Sequence, residues 1–249
     1  MSSDFQNYTF LINTIFLSTL LVSASCSSHS YVSDQKYQVA DNLHIASIKE
    51  DQSLKLFIED ISGNKIDLDT IEVPNDIPKL EYAFFRNIDG QSYIFSAISY
   101  SEDYRNANHP YINYESFYLA NVYKCDSDYR CSYDKKLSNF FGTGGDLVNY
   151  DTNEVLSTYL YKNQSIVEKG IESDLFRNRL SSKQTNGYTT NTATVKYDSF
   201  YDENNTDYLS VGSKFNVIDA SSGWLEISYN KDDQELQGYI RCEDTNLCS

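Results

Sequence analysis

Apolar and polar residues alternate with a period of two along most of this chain, and turn-forming residues separate the alternating runs. The pattern commits the backbone to strands, because only an extended chain sends successive side chains to opposite faces. LKLFIEDISGNKIDLDTIEV reads as a hairpin around Ser62-Gly63-Asn64. EYAFFRNIDGQSYIFSAISY reads as another, with Asp89-Gly90 supplying the positive φ of a tight turn. SFYLANVYKC and EVLSTYLYKN alternate too, the latter turning at Lys162-Asn163-Gln164 into SIVEKG. One short helix is expected at Asp134 to Phe141, with Gly142 just beyond its end. Long apolar stripes at helical spacing are missing. The expectation is a mainly β chain whose residues 39–180 form an antiparallel meander or sandwich, too short for a full propeller. Ser181 to Thr192 (SSKQTNGYTTNT) is polar and turn-rich, the composition of a linker leading to a second domain at 193–249.

Residues 1–25 read as an export signal. Phe10 to Val22 (FLINTIFLSTLLV) is apolar, but too short and too interrupted by Asn13 and Thr14 to span a bilayer. It runs into Val22-Ser23-Ala24-Ser25-Cys26, small residues ending on a cysteine. This ending resembles the lipobox of bacterial lipoproteins, with Ser23 where that family usually carries Leu. The resemblance implies cleavage before Cys26, a diacylglycerol anchor on its thiol and a tether over 26–38. Ser27 at the following position implies sorting to the outer membrane, with the protein facing the periplasm.

Cys125/Cys131 and Cys242/Cys248 are each spaced C-x5-C. Two close pairs in an exported chain are expected as disulfides, since such bonds persist outside the cytosol. Four cysteines permit three connectivities, of which local pairing is the favoured one. A zinc site built from all four is disfavoured, because no histidine sits near either pair and the spacing is too wide.

The 36 acidic residues against 20 basic ones give a net charge of −16. Without clustered Lys/Arg, nucleic acid is excluded as a default partner, as is broad adhesion of the protein surface to anionic lipid. A self-repelling soluble surface accounts for the charge; a basic protein partner is the sharper reading. Tyrosine is abundant, with 22 Tyr beside 13 Phe and one Trp. Tyr suits strands and also binding surfaces, where the ring packs and the hydroxyl stays wet.

Beyond the linker the sequence changes character. Ala193-Thr194-Val195, the Leu209-Ser210-Val211-Gly212 turn entering Lys214 to Ile218, Gly223-Trp224 leading Leu225 to Ile227, and Gly238-Tyr239-Ile240 follow one another at short intervals. This succession resembles a bacterial SH3-like domain over about the last quarter of the chain. The resemblance implies a small β-barrel with Trp224, Ile227 and Ile240 on its buried face. It also implies ligand clefts lined by aromatics, so Tyr197, Tyr201, Tyr208, Trp224 and Tyr229 are candidate binding residues. The acidic stretch Asp198 to Asp207 and the C-x5-C tail depart from the family pattern.

No constellation of catalytic residues stands out. Phe141 to Asp146 is glycine-rich but lacks the Gly-Lys-Ser/Thr of a phosphate loop, and reads as a flexible turn. Asp198, Asp202, Glu203 and Asp207 miss the spacing of a calcium loop, so no metal or other cofactor is expected. Two functions compete. The first is a non-enzymatic envelope lipoprotein that binds a periplasmic protein, such as a basic toxin to which it confers immunity, or peptidoglycan. The second is a periplasmic hydrolase using paired carboxylates within 39–180. If the anchor is as read, Cys26→Ser abolishes fatty-acid labelling of the expressed chain; an unlabelled wild-type protein overturns the lipoprotein reading.

Overall fold

The computed structural model describes residues 35–40, 42–50, 53–73, 78–102, 112–197 and 206–248. Cys26, the signal, most of the tether and Tyr201 lie outside the described residues. The first four strands, β1 (Gln35–Ala40), β2 (Leu43–Glu50), β3 (Ser53–Asp60) and β4 (Lys65–Glu72), form an antiparallel meander in chain order. The hairpin at Ser62-Gly63-Asn64 closes as expected. Asp60 Oδ1 accepts the backbone N–H of Ser62 and of Asn64 at 2.8 and 2.9 Å, while Gly63 takes φ +82°. These hydrogen bonds, led by that from the Asn64 side chain, hold the Asp60 carboxyl below its usual range.

The second sheet contains β5 (Lys79–Ile88), β6 (Gln91–Glu102), β7 (Ile112–Cys125), β8 (Cys131–Tyr133), β9 (Thr143–Asn149) and β10 (Glu154–Ser157). Its path is β10-β9-β7-β6-β5, with β8 pairing the end of β7. Asp89 and Gly90 turn β5 into β6 at φ +51° and +81°. Helix α1 (Lys135–Phe141) lies between β8 and β9, where the sequence places it. Asp134 caps its first turn by accepting the Leu137 N–H, and Gly142 ends it at φ +66°. The glycine-rich run after it is a strand and not a flexible turn: Gly144 and Gly145 pair with Tyr118 and Phe117 of β7. A side chain at Gly144 would meet the Tyr159 ring at 2.9 Å, so the small residues here serve packing.

Two further helices correct the expected strand-and-turn reading of 158–180. These are α2 (Gln164–Glu172) and α3 (Asp174–Leu180). Asn163, read as part of a turn, is the N-cap of α2 and accepts the Ile166 N–H; Ser173 caps α3 the same way through Phe176. Each helix offers the core only a pair of side chains, Val167 and Ile171 in α2, Leu175 and Phe176 in α3. So short a stripe is lost among β-branched residues when sequence periodicity is the guide.

The third sheet has the order β11-β14-β15-β16-β12-β13, from β11 (Thr185–Tyr188), β12 (Ala193–Lys196), β13 (Thr206–Leu209), β14 (Lys214–Ser221), β15 (Trp224–Lys231) and β16 (Gln234–Arg241). All three sheets are antiparallel, and among the described residues none closes into a barrel. The segment expected as a linker supplies β11. Gly187 makes this possible: a Cβ there would sit 2.6 Å from the Phe215 ring. Both local disulfides are present, Cys125–Cys131 joining β7 to β8 and Cys242–Cys248 folding the tail onto itself. They fit an oxidising, exported environment.

The central sheet is buried on both faces. Leu80, Ala83, Ile94, Ile98 and Tyr123 meet Ile45, Leu54, Leu56 and Ile58 of the first sheet. The opposite face, with Tyr82, Phe84, Phe95, Ala120 and Val122, joins the three helices and the inner side of the third sheet in one cluster. The turn Ser222-Gly223 completes the joint, Ser222 N–H donating to Phe140 O at 3.2 Å and its hydroxyl to Thr143 O at 2.9 Å. Sequence composition suggested two domains, but their apolar faces share a core. Trp224, the single tryptophan, therefore reports on a fold it shares with β5. Phe84→Ala is expected to destabilise by about 3–5 kcal/mol and to lower the unfolding midpoint seen by Trp224 fluorescence and by far-UV dichroism equally.

Candidate binding face of the third sheet

Alternation along β15 and β16 divides their residues between two sides. Leu225, Ile227 and Ile240 are buried against the helices. Trp224, Glu226, Tyr239 and Arg241 project to the other side, where Trp224 pairs in register with Arg241, and Glu226 with Tyr239. Lys196 of β12 lies in register with Tyr239, which brings it to the same side. The close approach of β12 depends on Gly238: a Cβ there would stand 2.5 Å from Val195 Cγ1 and 3.1 Å from Lys196 O.

The result is one indole attended by two cations. The Arg241 guanidinium lies 5.4 Å and the Lys196 ammonium 6.0 Å from the centre of the Trp224 ring. Such contacts are worth about 0.5–1 kcal/mol each at exposed sites. Arg241 is further oriented by Glu243 at 3.0 Å. Two bases thus flank the single tryptophan, with Glu226 on the same side of the sheet and Glu243 paired to Arg241. Tyr208 belongs to this side too, opposite Thr194 in register and 63% exposed. Trp224 thus stands on the open side of the sheet, and Ile227 and Ile240 alone of the expected trio are buried.

Tyr197 and Tyr229 sit on the inner side. Tyr229 is 3% exposed, and its hydroxyl lies 2.5 Å from that of Tyr197. Tyr197 donates to Asp207 Oδ2 at 3.3 Å; Lys231 donates to both oxygens of the same carboxylate at 2.5 and 2.6 Å; the Tyr208 N–H adds a bond of 2.8 Å. Asp207 is accordingly held below the usual carboxylate range, chiefly by the Lys231 hydrogen bond, and Lys231 is raised by the same bond. Burial, then the Tyr197 hydroxyl, raises Tyr229 well above an ordinary phenol. The four side chains satisfy one another and pin both ends of the connection between β12 and β13. They form a structural clasp, and Asp207 serves it as the partner of Lys231.

Within 39–180 the carboxylates with short contacts act as ties between elements. Asp69 accepts from the Tyr123 hydroxyl at 2.6 Å, Asp146 from Lys162 at 2.7 Å, and Glu168 from Arg86 at 2.6 Å. Among the described residues no three acids, histidines or cysteines gather as metal ligands. A recess beside Trp224, lined by Phe140, Tyr161 and Leu175 among others, encloses no space that a water molecule could occupy. Sequence reasoning found Trp224 and Tyr208 but missed Lys196 and Arg241. Once Ile240 is set inward, period-two alternation turns Arg241 outward, and that signal was available; the approach of Lys196 needed the strand order. No family model, curated protein or solved structure matches this chain.

The clasp makes a signed pH prediction. A carboxyl lowered on folding contributes stability that is present above its unfolded value, about 3.9, and lost as pH falls through the lower folded value. Thermal midpoints of wild type and Lys231→Met should therefore differ near neutral pH and converge as the solution is acidified below about pH 4. A difference that stays constant down to pH 2 shows that the ion pair contributes nothing.

Proposed function

We propose that this chain is an exported lipoprotein of the bacterial envelope, anchored through Cys26, which binds its ligand without transforming it. The observation that carries the reading is the Trp224 platform, an aromatic ring on the open side of a sheet with Lys196 and Arg241 beside it. A ring and two cations suit a ligand with an apolar face and carboxylate groups, and cell-wall glycopeptide is such a material. The third sheet is read as SH3-like in kind; the support is its succession of short antiparallel strands with tight approaches at Gly223 and Gly238. No helix among the described residues is long and apolar enough to cross a membrane, and attachment is assigned to the lipid.

The alternative of a protein that neutralises a basic periplasmic toxin draws on the net charge of −16. It would use a different surface, since two cations are poorly placed to receive a basic partner. The hydrolase alternative requires two converging carboxyls, whereas the carboxylates named above in 39–180 are each engaged by a cation or hydroxyl.

Co-sedimentation with purified peptidoglycan tests the proposal. Trp224→Ala and the double change Lys196→Gln/Arg241→Gln should each weaken binding roughly tenfold, corresponding to about 1.4 kcal/mol. Tyr133→Ala, on an exposed ring of β8, should leave it unchanged. Wild-type protein that fails to sediment with peptidoglycan, or that sediments equally after loss of Trp224, overturns the assignment. Recovery of a basic protein from envelope extract in its place favours the inhibitor.

A further inference from the structure

The pairings that build the Trp224 platform also set two acids against each other. Across β14, β15, β16 and β12, Asp219, Glu226, Tyr239 and Lys196 stand in one row, each in register with the next. Trp224 and Arg241 form the neighbouring row, two residues along β15 and β16. Like charges directly opposite each other destabilise a strand pair. At Asp219 the charge is offset by Arg179, whose Nη1 lies 2.6 Å from Oδ1. Glu226 is partly buried in the middle of the sheet and has no such offset. Among the described residues no lysine, arginine or histidine lies within ion-pair distance of its carboxylate, and Arg241 turns to Glu243 at 3.0 Å.

Proteins break such local rules chiefly where function requires it. Arg241 follows Tyr239, the partner of Glu226, by two residues, so Glu226 and Arg241 are diagonal neighbours. Side chains so related start about 7–8 Å apart. An ammonium and a carboxylate on one carbon, each joined to its protein partner by a hydrogen bond of about 2.9 Å, span a gap of that size. The Glu243 bond engages Nη1 of Arg241, and the remaining N–H groups of the guanidinium can receive a carboxylate. Trp224 precedes Glu226 by two residues on β15, which sets its ring beside both charges.

We infer, on the footing of the Trp224 platform proposed above, that Glu226 is its specificity-determining residue and receives the ammonium group of a zwitterionic ligand. The carboxylate of the same ligand goes to Arg241, with Lys196 adding positive charge nearby. The part of the glycopeptide that docks is therefore an amino-acid end of a peptide stem, with its amine unblocked and its carboxylate free. A ligand carrying carboxylates alone is repelled by Glu226, so a face with two cations rejects general polyanions. The ligand ammonium supplies the positive charge that the fold withholds from Glu226.

Co-sedimentation of the purified chain with two preparations of one peptidoglycan tests this, the first native and the second with its free amines blocked by acetic anhydride. Acetylation is expected to weaken wild-type binding roughly tenfold. Glu226→Gln should bind native material roughly tenfold more weakly than wild type and should not distinguish the two preparations. Its melting midpoint should be no lower than that of wild type, because one of two opposed acids is gone. Wild-type protein that binds both preparations equally overturns the inference, as does a Glu226→Gln chain that still discriminates. In either case loss of binding in Trp224→Ala shows that the platform itself stands. A Glu226→Gln chain that melts well below wild type gives Glu226 a structural role and also overturns the inference. Wild-type protein that binds neither preparation removes the platform, and the role of Glu226 falls with it.

Discussion

The aromatic joint between the central sheet, the helices and the third sheet is the contact on which the rest of the molecule depends. Phe141 stands at its middle, with ring centres at 5.0 Å from Tyr161, 5.1 Å from Phe140, 5.7 Å from Phe176 and 5.8 Å from Phe95. Burying a side chain of this size stabilises by about 1.5–3 kcal/mol, and well-placed ring pairs add about 0.5–1.5 kcal/mol. Two tyrosines of the joint, Tyr82 and Tyr159, keep their hydroxyls satisfied inside it. Tyr159 donates to Phe141 O at 3.0 Å and Tyr82 to Tyr161 O at 3.1 Å. Burial raises Tyr82, Tyr159 and Tyr161 far above an ordinary phenol, so they remain neutral and serve packing.

That joint also determines which surfaces are left for partners. It consumes one face of the central sheet and the inner side of the third, while the first sheet takes the other central face. Among the described residues, the outer side of the third sheet has no sheet or helix packed on it. The platform at Trp224 is rigid because the strands beneath it are fastened from behind by Leu225, Ile227 and Ile240, buried to 1% or less. In the proposed binding role, groups held on such a sheet would lose little conformational freedom on meeting a ligand.

Much of the β architecture was legible from short-range chemistry. The turns at Gly63 and Gly90, helix α1 with its Asp134 cap, and the pairing of nearby cysteines each depend on residues close in sequence. Helices α2 and α3 were not legible by periodicity, since each places only two side chains in the core; the caps at Asn163 and Ser173 were the available signal. The strand at Thr185–Tyr188 hid in polar composition, because half of its few residues face outward and its glycine accommodates a ring from β14. The candidate face was half legible. Trp224 and Tyr208 announced themselves by residue type, but Tyr229 and Tyr197 could be separated from them only when the two sides of the sheet were known.

Sequence alone determined a mainly β chain, its hairpins, its paired cysteines and its acidic surface, since alternation, turn chemistry and charge act over a few residues. Only the tertiary structure decided that the two apparent domains share one core, and that Lys196 comes to stand beside Trp224. Strands distant in sequence become neighbours through apolar surface that must be buried somewhere, and local pattern does not say against what.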